Sequence, residues 1–143
     1  MDPAPEQARE ITRRFIEEVF NHGRLDLIED LVALDALEHE ALPIATGEMR
    51  TDLRTWLSEL RRAFPDYHVE LEDLIVEGDK VVVRERITGT NRGPFLGIPP
   101  TGRPICVDAI DILRIEDGRV VEHWGIADST TMVRQLGLAA ETR

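Results

Sequence analysis

Asp108-Ala-Ile-Asp-Ile-Leu-Arg-Ile-Glu-Asp-Gly-Arg-Val-Val-Glu-His-Trp-Gly-Ile-Ala-Asp128 reads as two strands folded back on one tight turn. The turn is Glu116-Asp117-Gly118-Arg119, where Gly118 can take the positive φ that closes a hairpin. Both arms mix β-branched with ionisable residues: Asp108, Asp111 and Arg114 on the first, Glu122, His123 and Asp128 on the second. A hairpin that served only to build a core would carry fewer charges, because a buried charge is costly unless paired. One face of this hairpin is therefore expected to line a pocket.

Working back toward the N-terminus, the same period of two recurs. Residues 67–77 form a strand, Glu77-Gly78-Asp79-Lys80 a turn, and residues 80–90 a second strand. The connection 91–102 is rich in glycine and proline, and such long, restricted loops often cover sites. Further upstream the period changes to that of a helix. Ala8, Ile11, Phe15, Ile16 and Val19 form an apolar stripe over residues 6–21, closed by Gly23. A shorter helix is expected over 24–34. Residues 36–46 read as irregular or a short strand. A third helix runs from Glu48 or Thr51 to Phe64, with Met49, Leu53, Trp56, Leu57, Leu60 and Phe64 on one face and Pro65 as its stop. A last short helix is expected over 130–136, followed by a fraying tail, 138–143. Helices followed by four strands joined mostly by hairpins give an α+β order, with the helices covering one face of an antiparallel sheet.

The totals agree with one domain spanning residues 1–143. The chain has 42% hydrophobic residues, enough for a core without covalent staples. Its single cysteine, Cys106, excludes an intrachain disulfide and a cysteine-based metal cluster, and its apolar strand suggests a buried, inert thiol. A net charge of -11, from 28 acidic and 17 basic residues, repels phosphate backbones and argues against nucleic acid as a partner. The N-terminus has no basic region followed by an apolar run, and no apolar stretch reaches membrane-spanning length, so a cytoplasmic location without membrane association is expected. Nucleotide-binding glycine motifs and the Gly-x-Ser-x-Gly elbow are missing.

Several motifs in this order carry a resemblance. They are Ala63-Phe64-Pro65-Asp66, the run Gly89-Thr-Asn-Arg-Gly-Pro-Phe-Leu-Gly-Ile-Pro-Pro-Thr-Gly102, Arg114-Ile-Glu-Asp-Gly-Arg119, Glu122-His123-Trp124 and Gln135-Leu136-Gly137. Over about residues 8–138 the chain resembles the SnoaL-like polyketide cyclases, or ester cyclases, of the NTF2-like superfamily. The resemblance implies an α+β cone: a curved antiparallel sheet of about four to six strands packed on three N-terminal helices, with a short C-terminal helix. It implies a homodimer or homotetramer, and chemistry without metal or organic cofactor. It further implies an enzyme acting on a small hydrophobic carbonyl compound by aldol-type cyclisation or isomerisation. Epoxide opening or assisted hydroxylation on the same fold, and a non-catalytic ligand-binding module, are the alternatives. The acid/base aspartate of the founding cyclases falls at Gly125 here, their histidine on the preceding strand at Asp111, and a ligand-touching asparagine near Glu38 or His39.

The hairpin register then decides which residues meet. A three-residue turn with a glycine bulge, which agrees with the family, sets Asp111 opposite His123 on a face shared by 109, 111, 113, 121, 123 and 125. A two-residue turn would slip the register by one and set Asp111 against Trp124. Asp111 and His123 are the candidate acid/base pair, or else a satisfied structural pair. His39 is the third candidate, a ligand-polarising histidine on a segment entering the cavity or a surface histidine. Its neighbours Glu38 and Glu40 are expected to be solvated. Arg84 is a candidate for stabilising an enolate. Asp128 stands at the cavity rim or caps the last helix. Phe15, Trp56 and Phe95 complete the expected ligand contacts. No His-x-His or Glu-x-x-His spacing supports a metal.

Overall fold

A computed structural model describes residues 4–138. The expected fraying of the tail falls largely outside these residues. Helix α1, Ala4–Arg14, continues through Phe15–Asn21 in the wider π geometry. That geometry brings residues five apart onto one face, and the Phe15 and Phe20 rings lie edge to face at 5.2 Å. Ala8, Ile11, Phe15, Ile16 and Val19 are all buried, as their spacing predicts.

The second helix is shorter than expected. After a 3₁₀ turn, Leu25–Leu27, helix α2 spans only Ile28–Leu31, and strand β1 begins at Val32 and runs to Glu38. Helix α3, Met49–Ala63, buries Met49, Leu53, Leu57, Leu60 and Ala63. The Glu48 carboxylate caps its start by accepting from the Thr51 amide at 2.8 Å. Strands β2 (His68–Glu77), β3 (Lys80–Thr90), β4 (Pro104–Glu116) and β5 (Arg119–Ala127) follow, then α4 (Ser129–Gln135).

The sheet order is β1-β5-β4-β3-β2. Four strands are antiparallel neighbours, but β1 lies parallel to β5, which corrects the expectation of a wholly antiparallel sheet. The helices cover one face. Val81, Val83, Ile105, Leu113 and Val120 meet α1 and α3 there and are buried. A cone-shaped space is left between this curved sheet and the helices.

The β4–β5 hairpin turns more tightly than expected. Asp117 and Gly118 both have positive φ, 50° and 76°, and Glu116 pairs with Arg119 across a two-residue turn. Aspartate tolerates this left-handed geometry, and its twist suits a hairpin. A bulge at Val121 then absorbs one residue of β5, so Arg114 pairs with Glu122 and Leu113 with His123. The bulge adds a second one-residue shift, which turns His123 back to the face of Asp111 while pairing it with Leu113. Asp111 is directly opposite Gly125, and Trp124 faces the other side, paired with Ile112.

The loop 91–103 is built around Asn91, which is 2% exposed. Its Oδ1 accepts from the Thr101 amide at 2.7 Å and its Nδ2 donates to the Gly93 carbonyl at 2.9 Å. Gly93 sits so close to the end of α3 that any Cβ would overlap the Arg62 carbonyl oxygen. The loop therefore carries Phe95 onto Phe64 and Trp56, at centroid distances of 5.5 and 6.0 Å. Cys106 is exposed, not buried, because strand alternation turns Ile105 and Val107 inward.

Candidate active site

The cone encloses a cavity of about 590 Å³. That volume is in the usual range for a small organic ligand. Its walls are mostly apolar: Phe15, Phe20, Trp56, Leu60, Phe95 and Met132 contribute. Its polar groups converge from four strands or their ends. Asp111 comes from β4, His123 from β5, Glu38 and Glu40 from the end of β1 and the residue after next, and Glu85 from β3. Tyr67 enters just ahead of β2.

His123 is held on both sides. Its Nε2 is 2.7 Å from Asp111 Oδ1 and its Nδ1 is 2.5 Å from Glu38 Oε1. With a carboxylate on each nitrogen, both nitrogens donate, which makes the ring an imidazolium. Burial works against that charge, but the hydrogen bonds to Asp111 and Glu38 and their negative charges outweigh it and hold His123 up at about 10. The ring is thus a fixed cation that orients Asp111 through its Nε2.

Glu85 has the opposite character. It is 7% exposed, and burial, the Asp111 charge and a carboxyl–carboxyl hydrogen bond to Asp111 push it up to about 9. At neutral pH it is a neutral acid donating to Asp111. Glu40 is also raised, first by burial and then by the Asp111 charge, with His123 pulling the other way. Tyr67 is raised well above its ordinary value by burial and by the carboxylates Glu85, Asp111 and Glu40, so it stays a neutral phenol.

Gly125 makes this crowding feasible. A Cβ there would overlap Asp111 Oδ1 and Glu40 Oε1 and lie 2.9 Å from His123 Cε1. Glu40, Asp111 and His123 have donor atoms within 4.8 Å of one another. They are poorly suited to a cation as they stand, since His123 offers protons and no free lone pair.

Of the residues singled out in the sequence, the structure brings Asp111 and His123 together, though as diagonal rather than direct cross-strand partners. Phe15, Trp56 and Phe95 line the cavity. Asp128 reaches its rim, but its carboxylate is engaged in capping α4 through the Thr131 amide at 3.1 Å. Three expectations are corrected. His39 lies outside the cavity, stacked on Trp124 at 4.9 Å with its Nε2 2.6 Å from Glu122 Oε2. Arg84 points to the outer face and pairs with Asp73 at 2.7 Å, because strand alternation puts Val83 and Glu85 inward instead. Glu38 and Glu40, expected in solvent, face the cavity. Glu85 and Tyr67 went unread. The pattern Val81-x-Val83-x-Glu85-x-Ile87 was the available signal for Glu85: a lone acid on an apolar period-two face.

A cone fold with an acid/base cluster at the base of an apolar cavity defines a small-molecule enzyme of the NTF2-like class. The chain belongs to the SnoaL-like polyketide cyclase family, whose model matches residues 10–136. It is 31% identical over 136 residues to the aklanonic acid methyl ester cyclase DnrD of Streptomyces peucetius, covering 90% of this chain and 89% of that one. It is 30% identical over 123 residues to the nogalonic acid methyl ester cyclase of Streptomyces nogalater, covering 82% and 89%. Among solved structures it is similar to IdmH of Streptomyces antibioticus, with 35% identity, 92% and 99% coverage and a TM-score of 0.79. The resemblance and the cone fold expected from the sequence are borne out, and these relatives favour cyclisation over epoxide opening or hydroxylation. Among the described residues, no helix is long and apolar enough to cross a membrane.

Proposed function

We propose that this protein closes a ring in a polyketide methyl ester by an intramolecular aldol reaction, with Asp111 as the base. The observation that carries the reading is the Asp111 carboxylate clamped between a cationic His123 and a neutral Glu85 in an apolar cavity. A carbon acid between two carbonyls needs a positioned carboxylate in low polarity, where its basicity toward carbon is greatest. Asp111 removes the proton, and the enolate carbon attacks a second carbonyl of the same molecule. Tyr67, a neutral phenol, is placed to donate to an enolate oxygen. The substrate class follows the relatives, which are methyl ester cyclases.

Aklanonic acid methyl ester and nogalonic acid methyl ester are the probes. Incubation should give a product of unchanged mass with one new ring, seen by liquid chromatography and NMR. Asp111→Asn should lower turnover by at least about a hundredfold, the usual scale for a lost general base. Tight binding of both esters without conversion by the native protein would instead mark a ligand-binding module.

We also infer a homodimer through the outer face of the sheet. Ile75, Val82, Ile112 and Trp124 form one apolar row across four strands there, and Ile75 is 60% exposed. Such a row is the kind of exposed patch that a second copy covers. Light scattering should give twice the chain mass, and Ile75→Glu should return it to one. A cytoplasmic location is carried forward from the sequence, with cell fractionation as its check.

A further inference from the structure

Ring closure needs two proton transfers. One takes a proton from carbon, and the other gives a proton to the oxygen of the attacked carbonyl. Asp111 accounts for the first, the Tyr67 phenol is assigned above to the enolate oxygen, and four other ionisable groups of the cluster line the same cavity. Glu38 is engaged: its Oε1 faces His123 Nδ1 at 2.5 Å and accepts from the Glu40 amide at 2.9 Å. His123 is held by two carboxylates. Glu85 is 7% exposed and hydrogen-bonded to Asp111. Glu40 differs from all three. Among the described residues no hydrogen bond holds its carboxyl, and it lines the cavity.

The backbone aims it there. The His39 amide donates to the His123 carbonyl at 2.9 Å, extending the β1–β5 pairing by one residue. His39 is fixed on the outer face by its stack on Trp124 and its contact with Glu122. Alternation along an extended chain then turns the next side chain, Glu40, inward. It lies over Gly125, where the missing side chain leaves a recess at the end of the inner row of β5. Glu40 Oε1 fills the place a Cβ at that position would take.

We propose that Glu40 is the second acid/base residue of this enzyme, delivered by the β1–α3 loop into the recess over Gly125, where it protonates the alkoxide formed on ring closure. The proposal rests on the cyclase reading above. The balance is simple. Asp111 takes the α-proton as the C–H bond breaks. The enolate carbon forms the C–C bond as the C=O π bond opens. The resulting alkoxide takes the proton of the Glu40 carboxyl. The Asp111 proton then returns to Glu40 within the cluster, and no oxidant or co-reactant is consumed. Burial favours the protonated form of Glu40, as a proton donor requires.

The test compares native protein with Glu40→Gln on aklanonic and nogalonic acid methyl esters in deuterated water. Two readouts are followed: deuterium entry at the α-carbon, and ring closure. Circular dichroism and Tm confirm folding. The expected result is ring closure lowered about a hundredfold or more, with α-exchange kept within a few-fold of native. A double variant, Glu40→Ala with Gly125→Asp, should recover part of the ring closure, because it sets a carboxyl in the same recess from β5. Unchanged ring closure in Glu40→Gln overturns the proposal. So does equal loss of exchange and closure, which would place Glu40 with the base. A native protein that neither exchanges nor cyclises either ester sinks the cyclase reading itself, and Glu40's role with it. Native turnover with an indifferent Glu40→Gln sinks only the role of Glu40.

Discussion

Replacing Glu85 by glutamine should make this protein more stable at neutral pH. Glu85 is buried and held protonated in the folded state, while in the unfolded chain it ionises near 4.5. The sign follows from linkage. A group whose folded value is raised contributes stability that is fully present below the unfolded value and declines as pH rises toward the folded one. At pH 7 the unfolded carboxyl titrates two and a half pH units below the solution. Keeping the folded one protonated then costs about 3 kcal/mol, at 1.36 kcal/mol per unit. This figure depends on pH 7 and the unfolded value, provided only that the folded value lies above neutrality. Glutamine has the same shape, is neutral, and can donate to Asp111 with its amide. The cost vanishes, less what is spent desolvating the amide. A gain of roughly 1–3 kcal/mol is expected, or about 4–10 °C in Tm for a domain of this size. Urea denaturation at pH 7 and pH 4.5 decides the matter. The gain should shrink to below about 0.5 kcal/mol at pH 4.5, where the unfolded carboxyl is itself half protonated. A variant less stable at pH 7, or a gain equal at both values, refutes the reasoning.

The same linkage applies to His123, held up at about 10 against 6.5 when unfolded. Its contribution is intact below pH 6.5 and lost as pH rises through 10, so the denaturation midpoint should fall across that window, also in Glu85→Gln; a flat profile refutes the imidazolium. Gly125→Ala should cost about 1–3 kcal/mol, because its Cβ overlaps Asp111 and Glu40. Adding Glu40→Ala should relieve part of that cost, and strict additivity of the two in calorimetry would count against the overlap. Asp52 is 3% exposed and accepts from the Thr46 amide at 3.0 Å, the Thr46 hydroxyl at 2.6 Å and the Gly47 amide at 3.1 Å. Asp52→Ala should therefore cost about 2–4 kcal/mol and open the β1–α3 loop to limited proteolysis; a loop as resistant as in native protein would refute the anchor.

The sequence was most legible where structure is local. The strand over 80–90 matches β3 end to end, because alternation and a glycine turn are contained within its hairpin. Helix α3 stops ahead of Pro65 for an equally local reason. Strand β1 was read only in part. It is a short edge strand whose partner, β5, lies more than 80 residues away, and its pairing is interrupted between Val32 and Leu37. That one element decided the fate of three neighbours: Glu38 and Glu40 turn into the cavity and His39 turns out.

What the sequence by itself determined is the family, the cone, and a hairpin that carries Asp111 on one arm and His123 on the other. Alternation and a strong turn specify the hairpin without reference to the rest of the chain. Only the tertiary structure decided how that face is completed. The two-residue turn alone would have set Asp111 against Trp124, and the bulge at Val121 returned His123 to the cavity. Nothing in Val120-Val121 marks a bulge. It is selected because burying Leu113 and Val120 against the helices and pairing His123 with Asp111 and Glu38 satisfies more of the molecule than an unbroken ladder would. Likewise, the recess at Gly125 and the acid that fills it lie on segments distant in sequence, and a contact of that kind is fixed by packing.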